Sequence, residues 1–212
     1  MWEKTRTRCH LPEGATLAGI EAIHSVGASL ESYLQAAYPT DLSADHPCTF
    51  KLVSSKQLES MDTTANSILS ILLYRVTRNR HLHNAGPTLG APLGPLSLDL
   101  HYLISVWADK PDAEQVIAAW VMLELHRHPI LDAASLTPDG DWTDQDVLQI
   151  LPEELSNEDL MRIWDALGQP YRLSIPYVIR VVRIQPVTDG DGAPVVVTRY
   201  DAHPRLAEED AS

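Results

Sequence analysis

The side chains with chemistry to offer fall in a few short runs. His81 and His83 stand two apart in HLH, and His126 and His128 two apart in HRH. Imidazole nitrogens suit zinc or nickel, and two such pairs could supply a ligand set. That spacing puts both rings on one face of a strand but turns them apart on a helix. The HRH pair closes a helical pattern, where positive character suits the helix dipole, so both pairs are read as surface histidines. Asp189 and Asp191 in TDGDG resemble the start of a calcium loop, but its later ligands and closing Glu are missing. Asp-Gly is also common hairpin-turn chemistry, and a turn is the reading here and at Asp139 to Trp142. No metal and no cofactor are expected.

Nucleophilic catalysis finds no frame. The chain holds no GxSxG elbow, no P-loop and no GxGxxG after a strand. Cys9 and Cys48 lie far apart without CxxC spacing and read as reduced thiols. Glu153 and Glu154 sit in an aperiodic stretch and read as solvated surface. The expectation is a protein that is not an enzyme. Arg75, Arg78 and Arg80, with His81 and His83, form a basic cluster free of acids. Few aromatics accompany it, which argues against single-stranded nucleic acid. An acidic protein surface is the better partner, so these five residues are the candidate protein interface.

The chain of 212 residues carries 29 acidic and 16 basic side chains, a formal charge of -13. Such a balance repels nucleic acid and anionic membranes, so neither is an expected partner. The N-terminus has positive charge but no apolar core behind it, unlike a secretory signal. No run approaches the ~20 apolar residues of a membrane helix. Assembly in the cytoplasm is the matching expectation.

The elements that must position these groups centre on Pro95 to Trp107. Leu96, Leu98, Leu100, Tyr102, Ile104 and Val106 alternate with the polar Ser97, Asp99 and His101. That is the period of a strand with one face on a core and the other nearer water. Asn66 to Val76 and Tyr171 to Ile184 read the same way, with Ile68, Leu72, Tyr74 and Val76 on one face of the former. In the latter, Leu173, Ile175, Tyr177, Ile179 and Val181 share a face. Thr49 to Ser54 and Val147 to Leu151 are shorter strand candidates.

A first helix is predicted over Thr16 to Ala37, with Ile20, Ile23, Gly27, Leu30 and Leu34 on its stripe. Asp109 can cap a second, begun by Pro111 and ended near His128. It carries Ile117, Trp120, Val121 and Glu124 at helical spacing. Ser156 and Asp159 have capping-box spacing, Leu160, Ile163, Trp164 and Leu167 form a stripe, and Gly168 suits a left-handed C-terminus. Asn79 to Pro95 is a long Gly/Pro loop of the kind that often binds something. Leu131 to Asp165 holds ten Asp or Glu against the single Arg162.

The order of elements lacks strict βαβ alternation. The expected fold class is α+β, a mostly antiparallel central sheet with helices packed on one face. Residues 1–14 read as an N-terminal arm, 15–186 as the domain, and 187–212 as a C-terminal hairpin strand and acidic tail.

Three stretches, LLYRVTRNRHLHN (Leu72 to Asn84), PLSLDLHYLISVWA (Pro95 to Ala108) and LGQPYRLSIPYVIRVVRI (Leu167 to Ile184), together resemble a known family. The first helix and AAWVMLELHRHPIL (Ala118 to Leu131) fit the same pattern. The resemblance is to the tail-terminator, or cap, proteins of phage-tail-like contractile injection systems. It runs from about Ala15 to Pro186. It implies a homo-hexameric ring at the end of the tail distal to the baseplate, touching the last layers of inner-tube protein and sheath protein and ending their polymerisation. It implies no catalytic residue. The competing readings are another structural tail or baseplate adaptor component, and a metal-assisted enzyme of unrecognised type.

Overall fold

A computed structural model of the chain describes residues 18–59, 61, 66–79 and 95–184. The N-terminal arm, residues 80–94 of the Gly/Pro loop, the TDGDG turn, the returning strand, the acidic tail and Cys9 lie outside the described residues.

Among the described residues, six strands form one sheet. They are β1 (Cys48–Val53), β2 (Ser67–Arg78), β3 (Leu96–Trp107), β4 (Ile130–Asp132), β5 (Val147–Pro152) and β6 (Ser174–Ile184), in the spatial order β1-β2-β3-β6-β5-β4. Among these six strands only the β1–β2 pair is parallel. The expected α+β class with a mostly antiparallel sheet therefore holds. All the expected strand segments within the described residues form, with ends shifted by a few residues.

Among the described residues five α-helices accompany the sheet: α1 (Ala22–Ala37), α2 (Thr40–Asp45), α3 (Ser55–Leu58), α4 (Pro111–Arg127) and α5 (Asn157–Leu167). Their distribution differs from the expected single covered face. Leu98, Leu100, Tyr102, Ile104 and Val106 of β3 share a core with α1 and α4. Leu103 and Trp107, on the other face, pack with Leu58 of α3 and Trp164 of α5. Helices thus lie on both faces. The periodicity of a helix marks its apolar stripe but carries no information on which side of a sheet it docks.

Burial of both faces also changes the reading of β3. Ser97 and His101, expected nearer water, are buried. The same holds for β2, where Leu69 and Ile71 face one core and Ile68 and Leu72 the other. Each fully buried Leu or Ile contributes roughly 2 kcal/mol, which makes these strands the densest source of stability. A bulge between Leu98 and Leu100 shifts the pairing with β6, so Leu100 meets Ile179 while Leu98 meets Val182. Val182 therefore joins Ile179 in one core, against the simple alternation that would continue to position 181.

Ala22, Val26, Leu30 and Leu34 recur every fourth residue and form the buried spine of α1. Ile20, expected on that stripe, lies before the helix and is 72% exposed. Gly27 does permit a close approach: a Cβ there would stand 2.8 Å from Leu52 of β1. The N-cap of α4 is Lys110 without a side-chain bond, in place of the expected Asp109. At α5, Ser156 accepts from the Asp159 amide, and Gly168 takes φ 64, as its stop signal requires.

Candidate functional site

The basic cluster can be followed at two of its five positions. Arg75 and Arg78 project from β2 and are exposed, while Arg80, His81 and His83 lie outside the described residues. Arg75 Nη2 stands 3.2 Å from Glu153 Oε1. The acidic segment thus meets the basic cluster within one chain, where the sequence pointed to the acidic surface of a partner protein.

Glu153 follows β5, and its backbone N–H donates to the Pro176 carbonyl at 2.9 Å. Its side chain is 14% exposed, which overturns the solvated reading. Three donors converge on the carboxylate: Arg75, the Tyr74 hydroxyl at 2.8 Å and His101 Nδ1 at 2.8 Å. A charge taken this far from water needs such partners. On the other side of the ring, His101 Nε2 lies 2.9 Å from Thr77 Oγ1. The tautomer that serves both contacts carries its proton on Nδ1, donates to Glu153 and accepts from Thr77. The Tyr74 ring meets the imidazole edge-on at 6.1 Å. Burial, and then the Glu153 carboxylate, hold the Tyr74 phenol well above its ordinary range.

Hydroxyl, imidazole and carboxylate in line is the order a hydrolase uses to activate a nucleophile. Here it joins β2, β3 and the end of β5, and each member is satisfied by another. Its direct physical effect is to lock three strands in register beside the exposed guanidinium groups. Sequence reading missed Tyr74, His101 and Glu153. The available signal was Leu103 and Trp107, apolar residues on the same strand face as His101, which mark that face as covered.

Two further features complete the site region. A cavity of about 1020 Å³ lies where β1 ends, bordered by Leu73 and Tyr74 of β2. Tyr102 lines it, is 1% exposed, and its hydroxyl has no hydrogen-bond partner among the described residues. A buried hydroxyl left in that state costs about 1–3 kcal/mol. On α4, Glu124 accepts from the Tyr33 hydroxyl at 2.6 Å and stands 3.0 Å from His128 Nδ1. His126 and His128 are exposed. Among the described residues no group of three or more His, Cys, Asp or Glu gathers as a metal site.

A family profile described as the Pvc16 N-terminal domain matches residues 25–198. No curated protein sequence matches the chain. Among solved structures, the chain is similar to the sheath/tube terminator of an extracellular contractile injection system, PVC, in its extended state. The identity is 21% and the TM-score 0.54, over 89% of this chain and 65% of that one. A second similar structure is the tube-terminating cap of the anti-feeding prophage, AFP, with 21% identity and TM-score 0.48 over 85% of this chain and 59% of that one. The chain therefore spans about two thirds or less of the solved chains it matches. No helix among the described residues is long and apolar enough to cross a membrane.

Proposed function

Since the chain belongs to the Pvc16 N-terminal domain family, we propose that it is a structural cap of a contractile injection system. In this reading it forms a homo-hexameric ring at the tail end distal to the baseplate, binds the last inner-tube and sheath layers, and stops their growth. It works by surface matching, without catalysis. A ring whose two faces differ accepts one layer and offers no template for the next. Assembly takes place in the cytoplasm, on a particle that stays there or is released.

The single observation that carries the reading is the family match across residues 25–198. The fold shared with a sheath/tube terminator agrees with it. The exposed Arg75 and Arg78 beside a locked three-strand junction supply a rigid, charged docking edge.

The test is electron microscopy of the purified protein, alone and mixed with the tube and sheath proteins of its own system. Six-fold rings at one end of tubes of limited length are expected. A strict monomer that stays monomeric with tube protein present would overturn the proposal, as would rings found at the baseplate end.

A further inference from the structure

Helix α4 is apolar on two sides. Ile117, Ala118, Val121 and Leu125 are buried in the core that it shares with β3. A helix at a protein surface normally presents polar residues opposite such a stripe. Here the opposite side carries Val116, Ala119 and Leu123, all exposed, with Met122 beside them. Leu123 is 54% exposed and Met122 49%. The fold of one chain therefore leaves much of this apolar surface in water.

The outward residues have the spacing of a helix seam. Asp112, Val116, Ala119 and Leu123 step by four, three and four, and Arg127 follows four later. Steps of three and four hold side chains on the one face that meets a second helix. The two ends of this seam carry opposite charge. Asp112 and Glu114 stand in the first turn of α4, and His126 and Arg127 in the last. Asp112 and Arg127 are both exposed.

We propose that this seam joins two copies of the chain, α4 against α4, antiparallel about a two-fold axis. Charge selects the direction. In a parallel pair, Asp112 would meet Asp112 and Arg127 would meet Arg127, and like charges repel. In the antiparallel pair, Asp112 of each copy lies against the partner subunit's Arg127. The same register sets Val116 against the partner subunit's Leu123 on both sides of the axis. Ala119 falls beside the axis, where a small side chain lets two helices approach to about 8 Å. A single register thus satisfies both the charges and the apolar stripe, which only a self-complementary face needs to do. The contact is isologous, whereas a cyclic ring is held by heterologous contacts. The pairing is therefore separate from the capping role and does not depend on it.

Sedimentation velocity of the full chain tests it. Protein at about 100 μM suits a contact of this small size. Salt of about 0.15 M screens the net negative charge beyond about 8 Å. Whatever assembly the wild type reaches, Leu123→Asp should have half its mass, because a two-fold contact doubles every species. Reversal of charge gives a more specific signature. Asp112→Arg alone or Arg127→Asp alone should weaken pairing about tenfold, and both together in one chain should restore it to within about twofold. These reversals test the proposal even if Leu123→Asp fails to fold. Equal mass in the wild type and a folded Leu123→Asp overturns it. So does a double reversal that stays as weak as the single ones, since swapping both charges restores only a contact of the chain with itself. If Leu123→Asp keeps its mass but loses binding to tube or sheath protein, the face belongs to that tail partner and the proposal likewise fails.

Discussion

His101 Nδ1 stands 2.8 Å from a Glu153 carboxylate oxygen, across 52 residues of sequence. This contact fastens the middle of β3 to the residue that closes β5. Glu153→Ala leaves His101 and the Tyr74 hydroxyl without their acceptor in a largely closed site. It should destabilise the fold by about 3 kcal/mol, and Glu153→Gln by roughly half as much. Urea unfolding measures both. A Glu153→Ala loss below about 0.5 kcal/mol would show that the contact does not persist in solution.

Neighbouring positions on β3 should both resist a charge. Leu100 is fully buried, and His101 is 6% exposed. Leu100→Asp places an unpaired carboxylate in the larger core and should abolish soluble folding. His101→Asp sets a second carboxylate against Glu153 and should cost several kcal/mol, about as much as the worst core substitutions. Soluble yield and thermal melting distinguish these outcomes. A His101→Asp protein as stable as the wild type would mean that this face is open to water.

Much of this was legible in the sequence, and the misses have definite causes. The alternation Leu96, Leu98, Leu100 located β3 to within a residue, and Ser156 and Gly168 marked the ends of α5. Alternation alone suggested one wet face on β3, because Ser97, Asp99 and His101 precede the apolar Leu103 and Trp107 that share it. The bulge opposite Leu98 and Leu100 inserts a residue that no two-residue period can register. Glu153 looked like a loop charge because Tyr74, its donor, lies 79 residues away. Arg75 and Arg78 were found from composition, yet the intrachain bond to Glu153 required the sheet order.

Stability should fall on the alkaline side. Burial pushes the Cys48 thiol up to about 12. Burial, with the nearby Cys48 charge second, raises the Tyr38 phenol to about 12. Unfolded, the thiol ionises near about 8.5 and the phenol near about 10. Between those values and about 12 the unfolded chain binds fewer protons than the folded one, so stability declines as pH rises. It is fully present below about 8.5. A thiol contributes at most about 1.4 kcal/mol per pH unit in that window. Cys48→Ala should flatten the decline in urea midpoints between about pH 8.5 and 11. Equal slopes would contradict a buried thiol.

The helix on the second face can be tested through one side chain. Trp164 is 1% exposed, meets Trp107 edge-on at 5.9 Å, and donates Nε1–H to Ser174 at 3.2 Å. Trp164→Ala should cost about 3–5 kcal/mol and loosen α5 from the sheet. Near-ultraviolet circular dichroism with urea unfolding reports both effects. A loss below about 1 kcal/mol would indicate that α5 does not pack there.

Charge reversal at the exposed edge should spare the fold and weaken assembly. Among the described residues the exposed Arg78 side chain forms no ion pair, and exposed ion pairs contribute about 0–1 kcal/mol each. Arg78→Glu with Arg80→Glu should melt as the wild type does, yet form fewer rings or bind tube and sheath less well. Wild-type docking should also weaken with added salt, through screening. Native mass spectrometry with a pull-down measures this. Rings and capping equal to the wild type would make the cluster a solvated edge.

The unequal lengths of the ladders give the fold a mechanical anisotropy. Ten paired positions join β2 to β3, whereas β4 is held to β5 by three. A pull along the long central strands loads all their bonds together in shear. The same pull at β4 is resisted by far fewer bonds. Under such a load the fold would strain first at its β4 rim, and the centre would transmit the force undeformed.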